Sequence, residues 1–109
     1  MTITKQLIEL YSTLGGDPDL GDLVSMFVEE MPDRIATLEQ AIVCRDWENL
    51  QRMAHQLKGA AGSYGFHQLT PFAAAVESSV RDNAPDEKIR SALQNLIEMC
   101  RQVRAGAAT

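Results

Sequence analysis

LGDLVSMFVEEMPDRIATLEQAI, residues 20–42, carries its apolar side chains at Leu20, Val24, Phe27, Met31, Ile35, Leu38 and Ile42. Steps of three and four alternate along this stretch, so the residues fall into one stripe on an α-helix. Pro32 lies inside the stripe and removes one backbone donor. Because the stripe keeps its phase across Pro32, a bend is expected rather than two unrelated helices. Upstream, Asp17-Pro18-Asp19 reads as a helix start, with an N-cap carboxylate, proline at the first helical position and an acid close behind.

The same periodicity recurs on both sides. Ile3, Leu7, Leu10 and Leu14 suggest a short first helix over residues 3–13, stopped by Gly15-Gly16. Asp46 caps a third helix in which Leu50, Met53, Ala54, Leu57, Ala61 and Tyr64 share a face, and Gly65 suits the residue past its end. A fourth begins between His67 and Pro71 and points Leu69, Ala73, Val76 and Val80 one way. After the turn Arg81-Asp82-Asn83-Ala84, Pro85, Asp86 and Glu87 open a fifth helix with Ile89, Leu93, Leu96, Cys100 and Val103 along its seam. No strand pattern stands out.

Four longer amphipathic helices on short connections imply an all-α fold, an antiparallel up-and-down four-helix bundle with a short additional N-terminal helix. The 109 residues form one domain on this reading: residues 1–16 a lid helix, 17–104 the bundle and 105–109 a fraying tail.

Composition narrows the function. A net charge of -5 argues against a general nucleic-acid or anionic-membrane binder, which needs basic patches. Cys44 and Cys100 make neither a CxxC nor a zinc pattern, so two buried reduced thiols are expected. The N-terminus has no signal-peptide pattern and no run is long enough to span a membrane, so a cytoplasmic location is expected.

The third helix also has an unusual polar face. Taking Leu50 as zero at about 100° per residue, His55 falls near 140°, Gly62 near 120° and Gly59 near 180°, away from the apolar face. Gln51, Arg52 and Lys58 complete this outer side. An interior glycine costs a helix about 1 kcal/mol relative to alanine. Two of them, four and seven residues after an outward histidine, clear the ground beside it for another surface. An exposed imidazole, with a reference pKa of about 6.5, is mostly uncharged at neutral pH and can act as a nucleophile. Apart from Lys58 and Arg52, the helix supplies no acid–base group or phosphate loop around it. The bland alternative is a solvated histidine with two accidental glycines.

HQLKG at 55–59, with Gly62 and Gly65, resembles the histidine-containing phosphotransfer (HPt) domain of two-component phosphorelays. Asp46-Trp47 and the spacing to Leu69 and Glu77 also fit, extending the resemblance from Asp17 to Val103. Tyr64-Gly65-Phe66 departs mildly, with aromatics where smaller or aliphatic residues are common. The resemblance implies that His55 is the phosphoacceptor, taking a phosphoryl group from, or passing it to, an aspartate of a response-regulator receiver domain, with a sensor or hybrid histidine kinase as further partner. Lys58 would offer charge to the phosphoryl oxygens, and Glu77 would accept the proximal N–H of the imidazole and orient it. Gly59, Gly62 and Gln51 would face the partner. No cofactor of its own is implied, magnesium being supplied by the receiver, and a monomer is expected. The chain would then be a carrier without catalytic apparatus of its own.

Three alternatives compete. A non-phosphorylated bundle could dock on a receiver or kinase to regulate it, using the same polar face. A phosphohistidine hydrolase would need acid–base and clamping groups that the third helix lacks. A metal shared by His55 and His67 would lack the three or four placed ligands that zinc takes.

Overall fold

The computed structural model describes residues 9–106. Along these residues run β1 (Leu10–Tyr11), α1 (Gly21–Val43), α2 (Trp47–Ser63), a 3-10 turn (His67–Leu69), α3 (Thr70–Arg81), α4 (Asp86–Cys100) and β2 (Val103–Arg104). Each helix packs against the next, and α1 also against α4.

The stripe that begins the sequence reading is the inner face of α1. Val24, Phe27, Met31, Ile35, Leu38 and Ile42 are buried, while Leu20 is exposed because the helix starts after it. Pro32 lies within one unbroken helix. Leu50, Ala54, Leu57 and Ala61 of α2 meet Ala73, Val76 and Val80 of α3 and Ile89, Leu93, Leu96 and Cys100 of α4 in a single core. Removing such Leu and Phe side chains from water stabilises the fold by about 1.5–3 kcal/mol each. The aromatic departures at 64 and 66 have a packing reason: the Phe27 ring lies 5.2 Å from Tyr64 and 5.5 Å from Phe66. Asp46 caps α2 by accepting from the Asn49 amide at 3.2 Å.

Four expectations need correction. Leu10–Tyr11 is a short strand rather than the end of a helix, and residues 13–16 are turn; residues 3–8 of the expected helix lie outside the described residues. The segment spends its hydrogen bonds on distant chain: the Leu10 amide donates to Gln102 O at 2.7 Å, the Ser12 hydroxyl to Tyr64 O, and the Thr13 amide to Gly65 O at 3.1 Å. Strands are therefore present, β1 pairing in parallel with β2. Val103 belongs to β2 instead of the last helix, since pairing with Leu10 draws the chain out of helical geometry after Cys100. A Cβ on Gly15 would overlap the Gly106 carbonyl, so the turn before α1 and the segment after β2 touch there.

The start of α1 is displaced by one turn. The Asp17 carboxylate does accept from the Asp19 and Leu20 amides, at 2.7 and 3.0 Å, but it caps a turn that feeds into the helix at Gly21. The fourth correction concerns the cysteines. Cys100 is buried, with its thiol pushed up to about 12 by desolvation, whereas Cys44 follows the last turn of α1 and is exposed.

Candidate functional site

α2 and α3 build the site together. Lys58 follows His55 by three positions on α2, which places both near the α3 side of the helix. Glu77, next to the core residue Val76 on α3, turns its carboxylate toward them. His55 Nδ1 lies 2.6 Å from Glu77 Oε2, and Lys58 Nζ donates to Glu77 Oε1 at 2.6 Å. Each carboxylate oxygen thus has its own partner. A charge this close to the core would be costly without them.

Exposure divides the three. The His55 side chain is 66% exposed, that of Lys58 33%, and that of Glu77 only 12%. The ring is therefore held at its inner edge and free at its outer one. An ionised carboxylate only accepts, so the proton of this bond belongs to Nδ1 and the lone pair of the neutral ring sits on Nε2. The Lys58 ammonium bonded to Glu77 holds its carboxyl below the usual 4.5, with the His55 bond adding to this and burial opposing it.

That direction has a consequence for stability. A carboxyl lowered in the folded state contributes stability in full above its unfolded value, and loses it as pH falls through the folded value. The urea midpoint of the wild type is expected to exceed that of Glu77→Gln by a constant margin above about pH 5, and the margin should close on acidification. A margin that persists unchanged at pH 3 would show that the charged pair contributes nothing.

The two glycines lie as the helical projection places them. Gly59 is exposed and Gly62 half-buried, and a Cβ on either would meet nothing within 4 Å. Neither is required by the packing of this chain. Gln51 is half-buried one turn before His55. His67 sits in the 3-10 turn, and no group of three or more potential metal ligands occurs among the described residues.

The expected contact between Glu77 and the inner ring nitrogen of His55 is present, and the bond from Lys58 to the same carboxylate is one that the sequence reading did not contain. Lys58 Nζ is bonded to Glu77 Oε1 here. Glu77 is buried. The missing signal is the facing of α3 on α2, which no local pattern contains.

Chemically, the arrangement offers one outward nucleophilic nitrogen, a fixed tautomer, one nearby cation and a helix surface stripped of side chains. Among the described residues, no helix is long and apolar enough to cross a membrane.

Comparison with known proteins gives the same picture. The chain is 29% identical over 72 residues to the aerobic respiration control sensor protein ArcB of Escherichia coli K12, and equally to that of Shigella flexneri. These alignments cover 66% of this chain and 9% of ArcB, so the chain spans under a tenth of the curated relatives it matches. No solved structure matches it. The Hpt domain model matches residues 22–106, from the first turn of α1 to the end of the described chain, and the chain belongs to the Hpt domain family.

Proposed function

We propose that this protein is a phosphohistidine carrier of a multistep two-component phosphorelay, with His55 as phosphoacceptor. The observation that carries the reading is the pair of facts at His55: Nδ1 is bonded to Glu77, and the rest of the ring stands in solvent beside bare helix. The family match and the likeness to a segment of ArcB support a phosphotransfer role.

On this reading the lone pair of Nε2 attacks the phosphoryl group of a receiver aspartate, and the receiver contributes the magnesium ion and the acidic pocket. Lys58 keeps Glu77 ionised and lies close enough to shift toward phosphoryl oxygens. Gly59, Gly62 and Gln51 border the approaching surface. Consecutive helices joined by Cys44–Asp46 and Asp82–Pro85 leave no length for a crossover, which supports an antiparallel, up-and-down course.

The test is phosphoryl transfer from a phosphorylated receiver to wild type and to His55→Gln, with loss of transfer expected in the variant. Transfer that survives would leave the bundle as a regulator that docks without being phosphorylated.

The glycines allow a separate test of docking. Gly59→Ala should stabilise the domain by up to about 1 kcal/mol, since its Cβ meets nothing and helix propensity rises. Gly59→Gln should keep that stability yet slow transfer from a receiver by about tenfold, equivalent to ~1.4 kcal/mol of lost docking. Labelling by a small donor should be unchanged in both. If Gly59→Gln accepts phosphate from a receiver at the wild-type rate, clearance has no role.

A further inference from the structure

Resting on the carrier reading above, we infer that residues 10–15 clamp the glycine-bared end of α2, with Ser12 as the positioning residue of the clamp. It fixes the surface that Gly59 and Gly62 offer to a receiver, without touching His55.

α2 is weakest where a partner would rest on it. Gly59 and Gly62 fall within its last five residues, and Gly65 follows at φ +79. Each glycine inside a helix lowers its tendency to form. A Cβ on Gly59 or Gly62 would meet nothing within 4 Å, so no packing at those positions makes up the loss. The last turn is closed by its own backbone: the Tyr64 amide donates to Ala60 O at 2.9 Å, the Gly65 amide to Gly62 O at 3.3 Å and the Phe66 amide to Ala61 O at 2.8 Å. Those bonds do nothing for the carbonyls of Tyr64 and Gly65, which point on from the helix end.

The N-terminal strap supplies both missing donors. The Ser12 hydroxyl donates to Tyr64 O while accepting from the Leu14 amide at 2.9 Å, and the Thr13 amide donates to Gly65 O at 3.1 Å. Ser12 is buried, so its hydroxyl joins two backbone groups out of contact with water, where an unmade bond is costly. The strap is anchored on either side of Ser12. Leu10 pairs with Val103, and Gly15 lies so close to Gly106 that a Cβ there would overlap its carbonyl. One hydroxyl therefore ties the end of α2 to a segment that is itself fixed on the chain beyond α4. These residues precede 22–106, the region matched by the Hpt domain model.

His55 stands about two turns before Gly62 and is held from α3 by Glu77. Loosening the last turn leaves the nucleophile in place and alters the surface beside it. A receiver that meets a frayed turn must order it on docking, and this weakens docking rather than slowing the chemistry.

The experiment uses the full chain and Ser12→Ala, which removes the bridging hydroxyl and adds no atom. Transfer is followed from a phosphorylated receiver domain that serves the wild type, over a range of receiver concentrations. Labelling by phosphoramidate, a small donor that needs no docking, is followed in parallel. In Ser12→Ala the receiver concentration for half-maximal transfer should rise by about tenfold, the size of one lost buried hydrogen bond, with the maximal rate and the phosphoramidate rate unchanged. Hydrogen exchange at the Tyr64, Gly65 and Phe66 amides should quicken by about tenfold. Adding Gly62→Ala to Ser12→Ala should slow it again, because a Cβ at 62 has open space and raises helix propensity. Exchange that does not quicken in Ser12→Ala, or that Gly62→Ala does not slow, would do away with the clamp. Quicker exchange with an unmoved half-maximal concentration would do away with its part in docking. Receiver and phosphoramidate rates that drop together would reduce Ser12 to a general support of the fold. Each of these three results overturns the inference and leaves the carrier reading standing, whereas a wild type that takes no label from either donor would sink both.

Discussion

His55→Gln is expected to take no phosphoryl group from a receiver or from phosphoramidate, while folding as the wild type does. The expectation of complete loss follows from the chemistry of the position. Glutamine has a donor that can still reach Glu77, but its amide nitrogen carries no available lone pair, so nothing remains to attack phosphorus. Lys58 cannot substitute, because its ammonium has no lone pair and is bonded to Glu77 Oε1. The His55 side chain is 66% exposed and adds no core contact, so stability should change by no more than about 0.5 kcal/mol. Phosphate incorporation and thermal unfolding, measured on the same preparations, separate a lost nucleophile from a lost fold. Label on the variant above background would place the acceptor elsewhere and remove the reason for the cleared surface.

Gly65→Ala should destabilise the domain by about 3 kcal/mol, seen as a fall in Tm of roughly 10–20 °C, with His55 still labelled at low temperature. Two causes act together. Gly65 has φ +79, where an L-residue with a Cβ is strained by about 1–2 kcal/mol. The added Cβ would also stand 2.5 Å from Ser12 Oγ and 2.7 Å from Thr13 Oγ1. Those hydroxyls belong to the segment that bonds Tyr64 O and Gly65 O, so relieving the clash loosens the N-terminal strap from the end of α2. The comparison with Gly59→Ala is informative because the sign should reverse within one motif: at 59 there is open space and ordinary helix, and at 65 there is neither. A Gly65→Ala protein as stable as wild type would mean that residues 12 and 13 are not seated where the structure has them.

The glycine contrast shows how legibility varied along the chain. Gly65 could be read as a helix terminator because that role depends on its own backbone, and the structure gives it a positive φ. Its second role, making room for Ser12 and Thr13, involves residues some fifty positions away and has no local signature. The N-terminal segment misled for the same reason. Leu10 and Leu14 have helical spacing, yet Leu10 is buried in the strand that pairs with Val103 and Leu14 lies in the turn at residues 13–16. A few apolar residues are compatible with either element when the run is short. Arg45, at φ 55 in the α1–α2 turn, carried no signal at all, whereas Asn83 at φ 54 is a residue type that tolerates this conformation.

The sequence alone determined the four amphipathic helices, most of the inner residues of each, the outward direction of His55 and the bare sector made by Gly59 and Gly62. These follow from a periodicity of about 3.6 residues, which repeats within every helix and needs no knowledge of its neighbours. Tertiary structure decided the parallel pairing of Leu10–Tyr11 with Val103–Arg104, the burial of Glu77, and its bridging of His55 and Lys58. Those depend on how α3 is rotated against α2 and on where the segments flanking the four helices meet, quantities set by core packing between helices rather than by any residue's local preference.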